Sequence, residues 1–182
     1  MKIYLTGSHC SGKSTLCHYI AKKYKLPMIT EVARTVLSEK ELQIDSLRCN
    51  INTVDDYQSS IFYRQLQEES KHESFVSDRS IIDNLAYASQ HSNSLSKLLS
   101  APELQPYLTI LKDAKSILFF VRPSKATLQA DGVREVLNWD GIVAIDAQIK
   151  LLHEMFGVRY FQINTDSMQE RIRLIDSVIS LC

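Results

Sequence analysis

Near the N-terminus, Gly7-Ser8-His9-Cys10-Ser11-Gly12-Lys13-Ser14 satisfies the spacing G-x-x-x-x-G-K-[ST] at every fixed position. The chain has only five glycines, and two of them stand at those fixed positions. Glycine permits backbone conformations that aim several N–H groups inward, and a following helix adds partial positive charge at its N-terminus. The segment is therefore expected to cradle a phosphate chain. Lys13 would reach the β- and γ-phosphates, and the Ser14 hydroxyl would hold Mg²⁺. The expected nucleotide-binding set is Gly7, Ser8, His9, Cys10, Ser11, Gly12, Lys13, Ser14 and Thr15.

Other residues could complete a reaction centre. Asp78 can hold Mg²⁺ through water, and Arg79 beside it can contact an anion; an ordinary salt bridge at a helix start is the alternative. Glu31 follows a second apolar run, where a carboxylate could accept the proton of an attacking hydroxyl or simply sit solvated at a helix start. Arg134, in Asp131-Gly132-Val133-Arg134, could close on a transferring phosphoryl group; Arg122 is a second candidate, and either could be a plain surface charge. Asn164-Thr165 could edge a purine base. Tyr57, Gln58 and Arg64 could line an acceptor site, although the stripe Tyr57, Ile61, Phe62, Leu66 also reads as core. The five histidines show no metal-ligand spacing and read as packing or surface residues, and Cys10 as a filler within the loop.

These residues need a scaffold, and the hydrophobic pattern supplies one. Lys2 to Thr6 is a β-prone run that stops at Gly7; Leu16, Tyr19, Ile20 and Tyr24 then recur at helical spacing. Leu26 to Thr30 reads as a second strand and Thr53 to Glu69 as a long helix, with Thr53 and Asp56 marking its start. Ser74 to Ser77 reads as a third strand, followed by a helix carrying Ile81, Ile82, Leu85 and Ala88. Residues 89–105, rich in Ser and containing Pro102, read as a surface excursion with one helical turn at most. Ser116 to Val121 is apolar on both alternations, as in a central parallel strand. Asp140 to Phe156 is an amphipathic helix stopped by Gly157, Tyr160 to Ile163 a fifth strand, and Met168 to Ser180 a closing helix. Alternation of this kind predicts a parallel sheet with helices on both faces and ligands at the carboxyl ends of the strands. Gly7, Glu31, Asp78, Arg122 and Asn164 all fall at or past such ends.

At 182 residues, with 45% hydrophobic and 23% charged residues, the chain is expected to form one globular unit. Lys and Arg total 21, equal to Asp and Glu at 21, so no global positive field favours nucleic acid or an anionic membrane. No apolar run approaches a membrane span, the N-terminus lacks the apolar region of a secretion signal, and Cys10, Cys17, Cys49 and Cys182 form no CxxC pair. A cytoplasmic location is expected.

The sequence resembles the kinase branch of P-loop NTPases, in particular nucleoside and nucleotide kinases and ribosylnicotinamide-kinase-like, AAA-type domains. The likeness rests on Gly7–Ser14, Thr30-Glu31-Val32-Ala33-Arg34, Val76-Ser77-Asp78-Arg79-Ser80-Ile81-Ile82-Asp83, Asp131-Gly132-Val133-Arg134 and the two final strand–helix units. It implies an α/β, three-layer α/β/α fold with a five-stranded parallel sheet in the order 2-3-1-4-5, and a single domain over 1–182 with a short lid at about 123–138. It also implies that Glu31 activates a hydroxyl acceptor, that Asp78 and Arg79 lie near acceptor and metal, that Arg34 and Asp83 touch the acceptor, and that Arg134 is a lid arginine.

ATP, Mg²⁺ and a small-molecule acceptor are thus the expected ligands, with a homodimer as an open option. A hydroxyl acceptor of the nucleoside or ribosylnicotinamide type benefits from Glu31 as a base; a monophosphate acceptor, as in thymidylate kinase-like enzymes, would instead use Arg34 and Arg79. A kinase acting on a nucleic-acid end or modified base is disfavoured by the zero net charge. A nucleotide-dependent switch lacks support, because N-K-x-D, a D-x-x-G after the third strand and L-S-G-G-Q are all absent, and Asp78 is followed by Arg79 rather than Glu.

Overall fold

The computed structural model describes residues 1–40, 50–125 and 139–181. In chain order the elements are β1 (Lys2–Thr6), α1 (Lys13–Tyr24), β2 (Met28–Ile29), α2 (Val32–Glu39), α3 (Ile51–Ser70), β3 (Phe75–Asp78) and α4 (Ile81–His91). They continue with α5 (Leu95–Leu99), α6 (Leu104–Lys112), β4 (Ser116–Val121), α7 (Trp139–Phe156), β5 (Phe161–Ile163) and α8 (Met168–Leu181). The five strands form one sheet in the order β2-β3-β1-β4-β5, and every neighbouring pair is parallel. This is the expected three-layer arrangement.

Period-two alternation sorts the core. Ile3 and Leu5 of β1, with Ile117, Phe119 and Val121 of β4, pack against Leu16 and Ile20 of α1 and Ile175 and Ile179 of α8. Tyr4, Leu118 and Phe120 point to the opposite face, against residues of α2, α3, α4, α6 and α7. Both faces are covered, which explains why β4 carries no polar alternation.

Three expectations change. The long helix begins at Ile51, not Thr53, because Asn50 caps it by accepting a bond from the Asn52 N–H. The excursion at 89–105 is not superficial: α5 and α6 bury Leu98, Leu104, Tyr107, Leu108 and Leu111. Pro102 hid the start of α6, and Pro106 is tolerated within its first turn because an N–H there has no intrahelical partner to lose. The second strand shrinks to Met28–Ile29, since as an edge strand it pairs only with β3. Gly157 does follow α7 with a φ of 63°, the left-handed value that ends helices.

Beneath β1 and β3 lies a buried carboxylate. Glu69 accepts from Tyr4 Oη (2.8 Å), Tyr107 Oη (2.9 Å) and Gln65 Nε2 (2.8 Å). Burial raises its pKa from 4.5 to about 7, against the opposing pull of those three bonds. The carboxyl therefore contributes stability below its ordinary range and loses that contribution as pH rises through about 7. Glu69→Gln, which cannot ionise, is expected to gain in Tm relative to the parent as the pH of thermal unfolding goes from about 5 to about 8.

Candidate functional site

At the end of β1 the chain turns at Gly7 with a φ of 141°, and a Cβ there would lie 2.3 Å from the Val121 carbonyl oxygen of β4. Only glycine fits. The Gly7 N–H donates to Asp83 Oδ1 at 2.8 Å, and the His9 N–H and Nδ1 meet Tyr87 Oη at 3.2 and 2.8 Å, so α4 straps the loop from one side. Cys10 and Gly12 take left-handed φ values of 56° and 85°. Gly12 then starts α1 with no side-chain cap and no acidic residue in the first turn, which leaves that helix end suited to an anion.

Lys13 is 4% exposed. Its Nζ donates to the Ser8 carbonyl at 2.6 Å and Ser11 Oγ at 3.0 Å. Burial first, then the Arg79 charge, lowers its pKa to about 8, although Asp78, Asp83 and Glu31 pull the other way. Ser14 Oγ donates to Asp78 Oδ2 at 2.5 Å. The register Leu5↔Asp78 puts that carboxylate at the end of β3, directly beside the turn out of β1. Two hard oxygen donors converging beside a phosphate cradle fit Mg²⁺. Among the described residues no cluster of three or more His, Cys, Asp or Glu forms a rival metal site.

Arg79 and Glu31 meet across the ends of β3 and β2. Arg79 Nε donates to Glu31 Oε1 at 2.9 Å, its Nη1 reaches the Gly7 carbonyl at 3.2 Å, and its guanidinium lies over the Tyr87 ring at 5.2 Å. Burial opposes the charge, but Glu31, Tyr87, Asp83 and Asp78 outweigh it and hold the guanidinium protonated. Arg34 Nε donates to Glu31 Oε2 at 2.9 Å, so each carboxylate oxygen faces its own guanidinium. Arg79 also has a φ of 91°, outside the comfortable range for a residue with a Cβ. Such conformations cost about 1–3 kcal/mol and persist where the surroundings over-determine them.

The other expected positions divide. Asp83 is not on the cleft wall. It is 0% exposed, and besides Gly7 it binds the Ser80 N–H (2.9 Å) and Ser80 Oγ (3.0 Å) as the acid of a capping box. Tyr57 is buried, with its Oη on the Ala33 carbonyl at 3.0 Å; Gln58 takes both its bonds from Asn84 Nδ2. Arg64 pairs with Glu39 and Glu68. Arg122 pairs with Asp146 of α7 at 2.8 Å. Asn164 is exposed and accepts from Gln162 Nε2, while Thr15 is exposed on α1. Arg134, and the expected lid from residue 126 onward, lie outside the described residues.

Tyr87 and Arg171 stand in the site without having been among the expected positions. Arg171 of α8 is 1% exposed, with Nε on the Thr165 carbonyl (2.6 Å) and Nη1 on the Ser11 carbonyl, and it ties the turn after β5 to the phosphate loop. Its signal was a cation on the apolar stripe Met168, Arg171, Ile175, Ile179.

Strand order, phosphate loop and the acid at the end of β3 together define a P-loop fold built on a five-stranded parallel sheet. The chain matches the family described as AAA domain over residues 2–171, and it belongs to that family. Among curated proteins none matches it in sequence. Its fold is similar to that of Bacillus subtilis YorR in complex with phosphorylated GDP (18% identity, TM-score 0.65, 100% of this chain and 96% of YorR). It is also similar to M. mycoides deoxyadenosine kinase with dCMP and dCDP bound (14%, TM-score 0.71, 100% of each chain). NadR in complex with NR is a third likeness (16%, TM-score 0.73, 91% of this chain), and there the chain covers 46% of the longer protein.

Proposed function

We propose that the protein transfers the γ-phosphoryl group of ATP, with Mg²⁺, to a hydroxyl of a nucleoside-like small molecule. The observation that carries this reading is Glu31, a carboxylate facing Arg79 and Arg34 where β2 and β3 end, near the loop that holds Lys13 and Ser14. The open N-terminus of α1 and Lys13 would bind the triphosphate and neutralise charge that builds on the leaving β,γ-bridge. Ser14 and Asp78 would hold Mg²⁺, which when bound supplies further charge neutralisation across the phosphates. Glu31 would orient the acceptor hydroxyl and take its proton, the hydroxyl displacing the exposed guanidinium of Arg34. Arg79 would then face the phosphoryl oxygens. Such an arrangement works by positioning and electrostatics, which is most of what phosphoryl transfer requires.

The pair Arg34 and Arg79 also favours a second reading, a monophosphate acceptor gripped by two guanidinium groups. A labelled-ATP transfer screen over nucleosides, ribosylnicotinamide, nucleoside monophosphates and oligonucleotides separates the readings. Product from a nucleoside or ribosylnicotinamide is expected. Product from monophosphates alone selects the second reading, and ATP hydrolysis indifferent to every acceptor overturns both.

A further inference from the structure

The strained turn at Arg79 is held from inside the core. The Arg79 N–H still bonds to the Leu5 carbonyl at 3.0 Å, so the β1–β3 ladder runs up to this residue, and the turn happens at its own φ. The Arg79 carbonyl accepts from Ser77 Oγ at 2.8 Å. A hydroxyl has one proton to give, and this one is spent on Arg79. Ser77 Oγ in turn receives a bond from Gln65 Nε2 at 3.0 Å, and the second proton of that amide goes to Glu69 Oε1 at 2.8 Å. With Glu69 ionised, the polarity of the chain is fixed. Turning the Gln65 amide over would set its carbonyl against the Glu69 carboxylate, acceptor against acceptor.

Ser77 is 0% exposed and Gln65 2%, and they meet on the face of the sheet that α3 covers. Replacing both by an apolar pair of the same shape would remove the bond between them at little cost but would take a donor from the Arg79 carbonyl and another from Glu69 Oε1. What the polar pair delivers is a donor at one carbonyl, two residues along, in the turn that sends the Arg79 guanidinium to Glu31 and Gly7. We infer that Ser77 and Gln65 are positioning residues for the transfer reaction, acting on the cleft solely through the Arg79 backbone. The inference rests on the reading of Arg79 as an acceptor-end cation.

The test compares Ser77→Ala, Ser77→Thr and Gln65→Met in the full chain. Ser77→Ala is expected to lower kcat by about ten- to a hundredfold with a much smaller change in the ATP dissociation constant, because misplacement of a catalytic group costs rate while Lys13 keeps its own bonds to Ser8 and Ser11. Ser77→Thr, which keeps the hydroxyl, restores most of kcat, and Gln65→Met shifts kcat the same way by less. Independently of catalysis, the Arg79 Nε–H resonance in ¹⁵N-labelled protein, assigned through Arg79→Lys, is expected to exchange slowly in the parent and rapidly in Ser77→Ala. An unaltered resonance with unaltered kcat overturns the inference, as does a lower Tm with both readouts preserved. If the parent transfers phosphate to no acceptor, the proposed function falls, and the resonance alone decides whether Ser77 holds the turn.

Discussion

Lys13→Ala is expected to lower kcat/KM for phosphoryl transfer by about 10²–10³-fold, the scale seen when one preorganised charge-stabilising donor is removed. The lysine is already in place before nucleotide arrives: Ser8 and Ser11 hold its Nζ at 2.6 and 3.0 Å. Burial lowers its pKa to about 8, so at neutral pH it is still mostly protonated but short of counter-charge. A triphosphate supplies that counter-charge and draws the pKa back up. Nucleotide binding in the parent should therefore take up a proton near pH 8 and weaken as pH climbs through that value. The variant, with no group to titrate, should bind weakly with no such pH dependence. Titration calorimetry in buffers of different ionisation enthalpy reads the proton directly, and equal heats in all buffers for the parent would contradict the assignment.

Glu31→Gln is expected to lower kcat by about 10²–10⁴-fold if a hydroxyl is attacked, the range for loss of general-base assistance. The substitution keeps the shape of the side chain but turns one acceptor into an –NH₂. That group cannot receive the bonds that Arg79 and Arg34 now donate to the two carboxylate oxygens, so one guanidinium loses its bond to this side chain. Steady-state kinetics with the best acceptor should show the KM for ATP changed far less than kcat, since Lys13 and Ser14 are held by Ser8, Ser11 and Asp78. A near-parental kcat would point to an acceptor that arrives ionised, and hence to the monophosphate reading.

How much of this could be read in the sequence depended on the range of the interaction. The phosphate loop was legible because its chemistry is local: glycine spacing, lysine and serine lie within eight residues, with strand and helix on the correct sides. The faces of β1 and β4 followed from simple alternation. Asp83 shows where local reading stops. Ser80 with Asp83 three places on is a capping pattern visible in the sequence, but the bond from Gly7 spans 76 positions and no spacing announces it. The same holds for Glu69, which lies one turn beyond Gln65 on α3 and finds its other partners, Tyr4 and Tyr107, on β1 and α6. Helix α6 is hidden in the sequence because the serines of 89–105 and Pro102 mask its start. The left-handed turn at Arg79 leaves no trace at all in residue type.

That last feature has an effect on how the protein can be altered. By backbone preference alone, glycine is the most comfortable residue for a φ of 91°, and a choice guided only by main-chain conformation would place it there. That choice would relax the corner and leave the cleft without its guanidinium. An easier main chain is set there against two carboxylates, Glu31 and Asp83, that would lose this cation, so the corner keeps its arginine at the expense of its own comfort.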